Sequence, residues 1–275
     1  MKIILLCSGQ PNQVALANKI AEKFGLAGIV VERKGPGKKK GPQFKKIWTY
    51  LSDRLLFQTI TGAWQSLMQF YADRFPDFPA VKKIEVDNIN DDESRQFIIE
   101  NAPDLLMVSG TSIVKKKLLE TPVPLGIINL HTGLSPYIKG GPNCTNWCIA
   151  TGQFHYIGNT IMWIDAGIDS GDLLHTRIVS FAGEKELLEI HIKVMEEAHQ
   201  LYLDAVEEVQ NGTAKRIKQS SISAGVTYYN KNWNAKAKRS LLNNLKKFSV
   251  IVNSPEYKQK IPEVVTVGTT YSAEK

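Results

Sequence analysis

Short apolar runs alternate with amphipathic stretches through the first 210 residues. Residues 2–7 and 27–31 have the pattern of buried strands, and residues 14–24 between them carry apolar side chains at helical spacing. This strand–helix–strand order predicts a parallel sheet with a right-handed crossover. Further apolar runs predict strands at 83–86, 105–109, 126–130, 156–164 and 173–180. The pattern therefore predicts an α/β fold with a doubly wound, mostly parallel sheet.

Helical periodicity is clearest at 184–210, and shorter helices are predicted at 91–100, 113–119 and 143–151. Residues 44–75 predict one or two amphipathic helices, broken near Gly62. From 215 onward the periodicity weakens: 225–234 is predicted to be irregular, 241–245 a short helix, and the last twenty residues peripheral and disordered. We therefore predict one α/β domain at 1–210, with a helical insertion at about 34–80, and a small, partly irregular C-terminal extension at 211–275.

The composition is that of an ordinary globular protein, with 43% hydrophobic and 22% charged residues. No apolar run is long enough to predict a membrane-spanning helix. The apolar run at the N-terminus is too short for a signal peptide and is predicted to be the first strand. There are three cysteines, Cys7, Cys144 and Cys148. Their odd number and the lack of a CxxC pair argue against both a disulfide framework and a zinc site, so the expected location is a reducing cytoplasm.

The formal net charge of +7 is concentrated in two segments, 33–46 and 231–247. Such clusters attract anionic ligands, nucleic acids or acidic membranes, but they also occur in solvated loops. The Gly and Pro residues inside 34–46 exclude a continuous basic helix, which weakens the nucleic-acid interpretation. Whether this basic loop binds a ligand is left open.

Two polar residues end the apolar run at 126–130. Asn129 and His131 alternate along the predicted strand, so both side chains project from the same face at its C-terminal end. A loop with two aspartates, 165–171, follows the next predicted strand. Amide and imidazole N–H groups stabilise the oxyanion that forms in acyl transfer, and a nearby carboxylate can orient the imidazole and relay a proton. The three groups predict acyl-transfer chemistry, whereas a histidine that merely caps a strand end is the structural alternative.

The combined motif resembles that of the folate-dependent formyltransferases, and most closely the branch that formylates amino sugars. The matching residues are Asn129, His131, Leu134, Pro136, Gly140, Asp165, Gly167, Asp169 and Gly171. Residues 102–110, APDLLMVSG, resemble the strand that precedes the folate pocket in that family. The resemblance covers about residues 1–210 and implies a Rossmann-like fold.

The resemblance implies N10-formyltetrahydrofolate as co-substrate, a primary amine as acceptor and no metal ion. It implies that Asn129, His131 and Asp169 are the catalytic residues. Folate binding is implied for two loops, whose residues are Thr111, Ser112, Ile113, Val114, Asp165, Ala166, Gly167 and Ile168. For Asp165, a turn-forming role before Gly167 is the alternative.

The acceptor is predicted to be an amino sugar, phosphorylated or linked to a nucleotide. Candidate substrate-binding residues are Ser8, Gly9, Gln10, Lys139 and Trp147. Lys139 is equally well explained as a solvated loop lysine, and Trp147 as a core residue. A glycinamide-ribotide formyltransferase is one alternative, although Pro11 lacks the N–H that a phosphate-binding turn would use. The initiator-tRNA formyltransferases carry a C-terminal barrel that the last sixty residues do not resemble.

Two other functions share the motif. A formyltetrahydrofolate hydrolase would use the same three residues but let water attack, and a non-catalytic binding module would retain only the fold. The expected partners are small molecules, without nucleic acid or membrane. Residues 211–275 are predicted either to pack at the acceptor side or to form a homodimer contact, and the sequence does not separate these alternatives.

Overall fold

Seven of the predicted apolar runs lie side by side in one sheet. The computed structural model describes residues 1–33, 57–165 and 171–268. The strands are β1 Ile3–Ser8, β2 Gly28–Glu32, β3 Lys83–Val86, β4 Leu105–Ser109, β5 Ile127–His131, β6 Ile138–Gly140, β7 Gly158–Trp163, β8 Leu173–Ile178 and β9 Val226–Tyr228. The sheet order is β3-β2-β1-β4-β5-β7-β8, and β6 pairs with β9 in a separate two-stranded sheet. The first five strands of this order are parallel, while β7 is antiparallel to both of its neighbours. The predicted mostly parallel sheet is confirmed.

Helices cover both faces of this sheet. They are α1 Pro11–Phe24, α2 Gln58–Ala72, α3 Asp92–Asn101, α4 Lys116–Leu119, α5 Cys144–Thr151, α6 Leu187–Gln210, α7 Ala235–Leu245, α8 Phe248–Val252 and α9 Pro255–Lys260. The predicted break near Gly62 is wrong, because α2 continues through this residue. A Cβ at Gly62 would have no atom within 4 Å, and glycine inside a helix costs only about 1 kcal/mol relative to alanine. Residues 34–56 of the predicted insertion, including the basic loop 34–46, lie outside the described residues.

Two apolar cores result from the alternation of side chains along the strands. Ile3 and Leu5 of β1 pack with α1 and α6, whereas Ile4 and Leu6 pack with α3 and α4 on the opposite face. Tyr202 of α6 reaches into the sheet and connects the two strands that carry the site. Its hydroxyl oxygen accepts from the backbone N–H of Val108 in β4 at 2.8 Å and donates to the carbonyl of Ile128 in β5 at 2.9 Å.

The C-terminal extension is more regular than its sequence indicates. Helices α7, α8 and α9 follow β9, and their buried residues Leu241, Phe248 and Tyr257 share a core with α5. The prediction of disorder is wrong for residues 256–268, which continue in helix and turn and bury Val264 and Val267, although most of these residues are exposed. Residues 269–275 lie outside the described part of the chain. The domain boundary at 210 stays a prediction.

Within the described ranges, no helix combines the length and apolar character that a bilayer crossing requires.

Candidate active site

The polar pair occupies the position on β5 that its alternation predicts. Asn129 lies between Val108 of β4 and Met162 of β7, and His131 lies opposite Thr160 of β7. Asn129 and His131 are both half-buried. Their strand neighbours Ile128 and Leu130 alternate with them and are buried in the core that includes α6. The structure therefore brings an amide and an imidazole to one face of the sheet, at the C-terminal end of a parallel strand. Open α/β sheets bind ligands at such strand ends.

The turn after β5 is fixed against the imidazole. Thr160 donates its hydroxyl to the carbonyl of Gly133 at 2.7 Å and accepts the N–H of Ser135 at 2.9 Å. Cys144, the first residue of α5, places its sulfur 3.5 Å from Nε2 of His131. A Cβ at Gly133 would lie 2.5 Å from that nitrogen and 2.7 Å from the Cys144 sulfur. Only glycine fits between the ring and the helix.

A cavity of about 210 Å³ opens beside this pair. Its walls are Val108, Gly110, Thr111, Ser112, Ile113, Val114, Asn129, Leu130, His131, Met162, Trp163, Ile164, Asp165 and Gly171. Loop 111–114 and Asp165, for which the resemblance implies folate binding, thus share one cavity with the catalytic candidates. The volume is below the ~300–1,000 Å³ of pockets that enclose drug-sized ligands. It would accommodate one ring system of a larger ligand, with the remainder outside.

Two residues of the loop with the two aspartates line the cavity, namely exposed Asp165 and buried Gly171. Of the predicted site residues, Ala166, Gly167, Ile168 and Asp169 lie outside the described residues. Their predicted roles in folate binding and catalysis therefore stay predictions.

The C-terminal extension supports this side of the cavity. The indole N–H of Trp163 donates to the carbonyl of Lys215 at 2.8 Å, and the Arg216 guanidinium lies 3.7 Å from the centre of the Trp163 ring. Gln219 donates to the carbonyl of Gly171 at 2.9 Å. These contacts join segments about fifty residues apart in sequence, and no local pattern indicated them.

Two further polar residues near the cavity were missed by the sequence analysis. Glu32 at the end of β2 accepts the N–H of Ser112 at 2.6 Å and that of Ile89 at 2.9 Å. Asn90 accepts the N–H of Lys115 and donates to the carbonyl of Ile113. An acidic residue ending the otherwise apolar run GIVVE was the available signal for Glu32, since a buried carboxylate requires hydrogen-bond donors.

The turn after β1 contains three predicted substrate-binding residues, and not all of them are exposed. Ser8 is fully buried, Gly9 is exposed and Gln10 is half-buried. Pro11 is the first residue of α1, a position where the missing N–H is not required by the helix. The same residue supplies no N–H to a phosphate, which was the argument against a glycinamide-ribotide site. Substrate binding by Ser8, Gly9 and Gln10 stays a prediction.

The remaining acceptor candidates lie around α5. Lys139 is a half-buried residue of β6, opposite Thr227 of β9. Trp147 is buried, with its ring stacked 4.3 Å from that of Tyr228 and edge-on to Trp233 at 4.8 Å. Its N–H donates to the carbonyl of Gly141. These contacts fit the core interpretation of Trp147, and a ligand would have to stack without displacing Tyr228.

Several other histidines and cysteines of the described chain are buried, which fits a structural role. Burial lowers the pKa of His191 to about 4 and that of His199 to about 3, the latter with help from the nearby Lys19 ammonium. Burial raises the pKa of the Cys7 and Cys148 thiols. Within residues 1–33, 57–165 and 171–268, no cluster of three or more His, Cys, Asp or Glu residues could hold a metal ion.

The fold agrees with comparisons to known proteins. A family model described as "Formyl transferase" matches residues 68–206, which is half of the chain and includes β5 and the cavity walls from β4 onward. The chain therefore belongs to the formyl transferase family.

Curated relatives are methionyl-tRNA formyltransferases. That of Clostridium tetani is 30% identical over 141 residues, which are 50% of this chain and 44% of the relative. That of Clostridium botulinum is 33% identical over 143 residues, again 44% of the relative. The chain thus matches less than half the length of these curated proteins.

Solved structures resemble the chain over most of its length. A sugar N-formyltransferase from a Shewanella species has a TM-score of 0.56 at 15% identity, over 89% of this chain and 87% of that chain. The identity is too low for more than a shared fold. The Rossmann-like formyltransferase fold implied by the sequence motif is confirmed.

Proposed function

We propose that this protein transfers a formyl group from N10-formyltetrahydrofolate to a primary amine. The observation that carries the proposal is the convergence of Asn129 and His131 on one cavity with loop 110–114. The donor supplies the formyl carbon. Backbone groups of the loop would bind the pterin ring, with the rest of the folate outside the cavity.

Asn129 and His131 supply the hydrogen-bond donors that formyl transfer requires. Attack of an amine on a formyl carbon places negative charge on oxygen, and N–H groups aimed at that oxygen stabilise it. The side-chain amide and the imidazole both face the cavity and can serve this role. Because Gly133 and Cys144 confine the ring, His131 would reach the reaction in a set orientation. Asp169 is proposed to hold the imidazole proton and to assist removal of a proton from the amine.

We favour a nucleotide-linked amino sugar as acceptor. The support is the likeness in fold over nearly the whole chain, extension included, to sugar N-formyltransferases. One of these, from Helicobacter canadensis, was solved with folinic acid and dTDP-3-aminofucose and has a TM-score of 0.54 at 14% identity. In this proposal Lys139 meets a phosphate of the acceptor.

An aminoacyl-tRNA is the second candidate acceptor. It is favoured by the curated relatives, which are methionyl-tRNA formyltransferases. It is also favoured by residues 211–255, which contain many lysines and arginines but no Asp or Glu.

Release of tetrahydrofolate from N10-formyltetrahydrofolate, followed spectroscopically, tests the proposal. The purified protein would be assayed alone, with dTDP- and UDP-linked amino sugars, with glycinamide ribotide and with methionyl-tRNA. We expect turnover only in the presence of an amino sugar. Turnover only with methionyl-tRNA would select the second candidate, and turnover without any acceptor would indicate a hydrolase. Absence of turnover in every assay would contradict the proposed transfer.

A further inference from the structure

One wall of the cavity is tied to the rest of the protein by a buried carboxylate. Glu32 ends β2 and is only 3% exposed. One of its oxygens accepts the N–H of Ser112 at 2.6 Å, and the other accepts the N–H of Ile89 at 2.9 Å. A buried carboxylate is tolerated only when donors surround it, and here two backbone N–H groups occupy both oxygens.

A second side chain fastens the same wall from the neighbouring loop. The side-chain oxygen of Asn90 accepts the N–H of Lys115 at 2.6 Å, and its amide donates to the carbonyl of Ile113 at 3.0 Å. Ile89 and Asn90 are adjacent, so Glu32 holds the loop that in turn holds Ile113 and Lys115. Residues 112, 113 and 115 are thereby fixed at three points by side chains distant in sequence.

Few other contacts fix the conformation of the cavity wall at residues 110–115. Residues 110–115 belong to no helix or strand, Ser112 is exposed, and Ile113 is 55% exposed. Val114 alone among the lining residues 111–114 is buried. Hydrogen bonds to Glu32 and Asn90, rather than apolar packing, therefore set the position of the backbone groups that face the cavity.

We propose that Glu32 is a positioning residue for the formyl donor. Its carboxylate, with Asn90, holds loop 111–114 in the conformation that binds the pterin ring, without touching the reacting atoms. This inference rests on the proposed function, because it assigns the cavity to the donor.

The test compares Glu32→Gln with Glu120→Gln in the full-length protein. A glutamine at 32 keeps one acceptor oxygen but turns an amide NH2 toward a backbone N–H. Glu120 is an exposed residue just after α4, so its substitution removes the same charge near the same segment. For Glu32→Gln we expect the KM for N10-formyltetrahydrofolate and the Kd for folinic acid to rise about tenfold. The kcat at saturating donor and the acceptor KM should change less than about twofold. Glu120→Gln should match the wild type.

Asn90→Ala provides a second variant, since its side chain is half-buried and its loss is less disruptive to folding. We expect the same selective rise in donor KM. An unchanged donor KM in both folded variants, or an equal loss of kcat at saturating donor, would overturn the inference.

Amide hydrogen exchange separates failure of this inference from failure of the proposed function. Wild-type protein that neither binds folinic acid nor releases tetrahydrofolate would overturn both. With folinic acid binding intact, faster exchange at Ser112 and Ile89 in Glu32→Gln, with β4 still protected, supports the positioning role. Unchanged exchange at both amides would contradict it.

Discussion

The Cys144 sulfur and Nε2 of His131 lie 3.5 Å apart, although the two residues belong to different elements separated by a thirteen-residue interval. The thiol also lies 3.4 Å from the carbonyl of Gly140, to which it donates. One side of the imidazole is therefore covered by the Cys144 sulfur at the start of α5, and this sulfur is held in turn by its hydrogen bond to β6.

Gly133→Ala tests how tightly the imidazole is confined. Its Cβ would meet His131 and Cys144 at distances that side chains do not tolerate, so the ring must shift. A misplaced catalytic group costs about a hundredfold in rate, and we expect kcat to fall by about that amount while folinic acid still binds. Gly62→Ala, in the middle of α2, is the matched control. It should retain full activity and gain up to about 1 kcal/mol in the free energy of unfolding. A Gly133→Ala enzyme with wild-type kcat would show that the ring is free to adjust.

Thr160 should be required for both stability and activity. In Thr160→Val the carbonyl of Gly133 and the N–H of Ser135 lose their buried partner, which we expect to lower the free energy of unfolding by about 1–3 kcal/mol. The kcat should fall as well, because the turn that confines His131 loosens. Thr160→Ser keeps the hydroxyl and should restore most of both quantities in denaturant titrations and steady-state assays. Equal damage by serine, which keeps the hydroxyl, and by valine, which lacks it, would contradict the assignment of the effect to these two hydrogen bonds.

The buried hydroxyl of Tyr202 is expected to stabilise the folded protein. Burial raises the pKa of its phenol, so the hydroxyl stays protonated and can donate to Ile128 while it accepts from Val108. Tyr202→Phe removes both of these hydrogen bonds and should lower the free energy of unfolding by about 1–3 kcal/mol. Tyr229→Phe, at a residue 57% exposed, should leave it unchanged. Chemical denaturation of the two variants side by side measures the difference.

Acid should destabilise the protein through two buried histidines. The folded-state pKa values of His191 and His199, about 4 and about 3, lie below the ordinary value of 6.5. Between pH 6.5 and 4 the unfolded chain therefore binds more protons than the folded one, and stability falls as the pH falls. From pH 7 to pH 5 we expect a loss of about 2 kcal/mol for each histidine.

Melting temperatures of the wild type and His191→Gln across this range test the prediction. Glutamine cannot titrate, so the variant should lose less stability on acidification, even if it is less stable at pH 7. Parallel pH profiles for the two proteins would show that His191 does not contribute.

Local patterns predicted the sheet and part of the site. Asn129 and His131 are two positions apart on one strand, so alternation alone places them on the same face. The resemblance to a family located loop 111–114. Asp169 stays a prediction because it lies outside the described residues.

Local sequence patterns could not predict the contacts between residues that are far apart in the sequence. Glu32 contacts Ser112 from eighty residues away, and Thr160 of β7 contacts Gly133 in the turn after the neighbouring strand β5. The helical content of the C-terminal extension was also underestimated, because its packing partners lie in a distant part of the sequence. Helix α7 is mostly polar and buries only Leu241 fully, so its sequence contains few apolar residues, although the helix packs on α5.

The measurement that tests the central claim most directly is a single-turnover assay of His131→Gln and Asn129→Ala with an acceptor that the wild type uses. Each variant should bind folinic acid with nearly wild-type affinity but transfer formyl at least about a hundredfold more slowly. Asn129→Ala removes a hydrogen-bond donor to the developing oxyanion, and His131→Gln replaces the imidazole with an amide that places its N–H groups differently. His155→Gln, at a histidine that does not line the cavity, should transfer at the wild-type rate. Formyl transfer at an undiminished rate by both site variants would contradict the account.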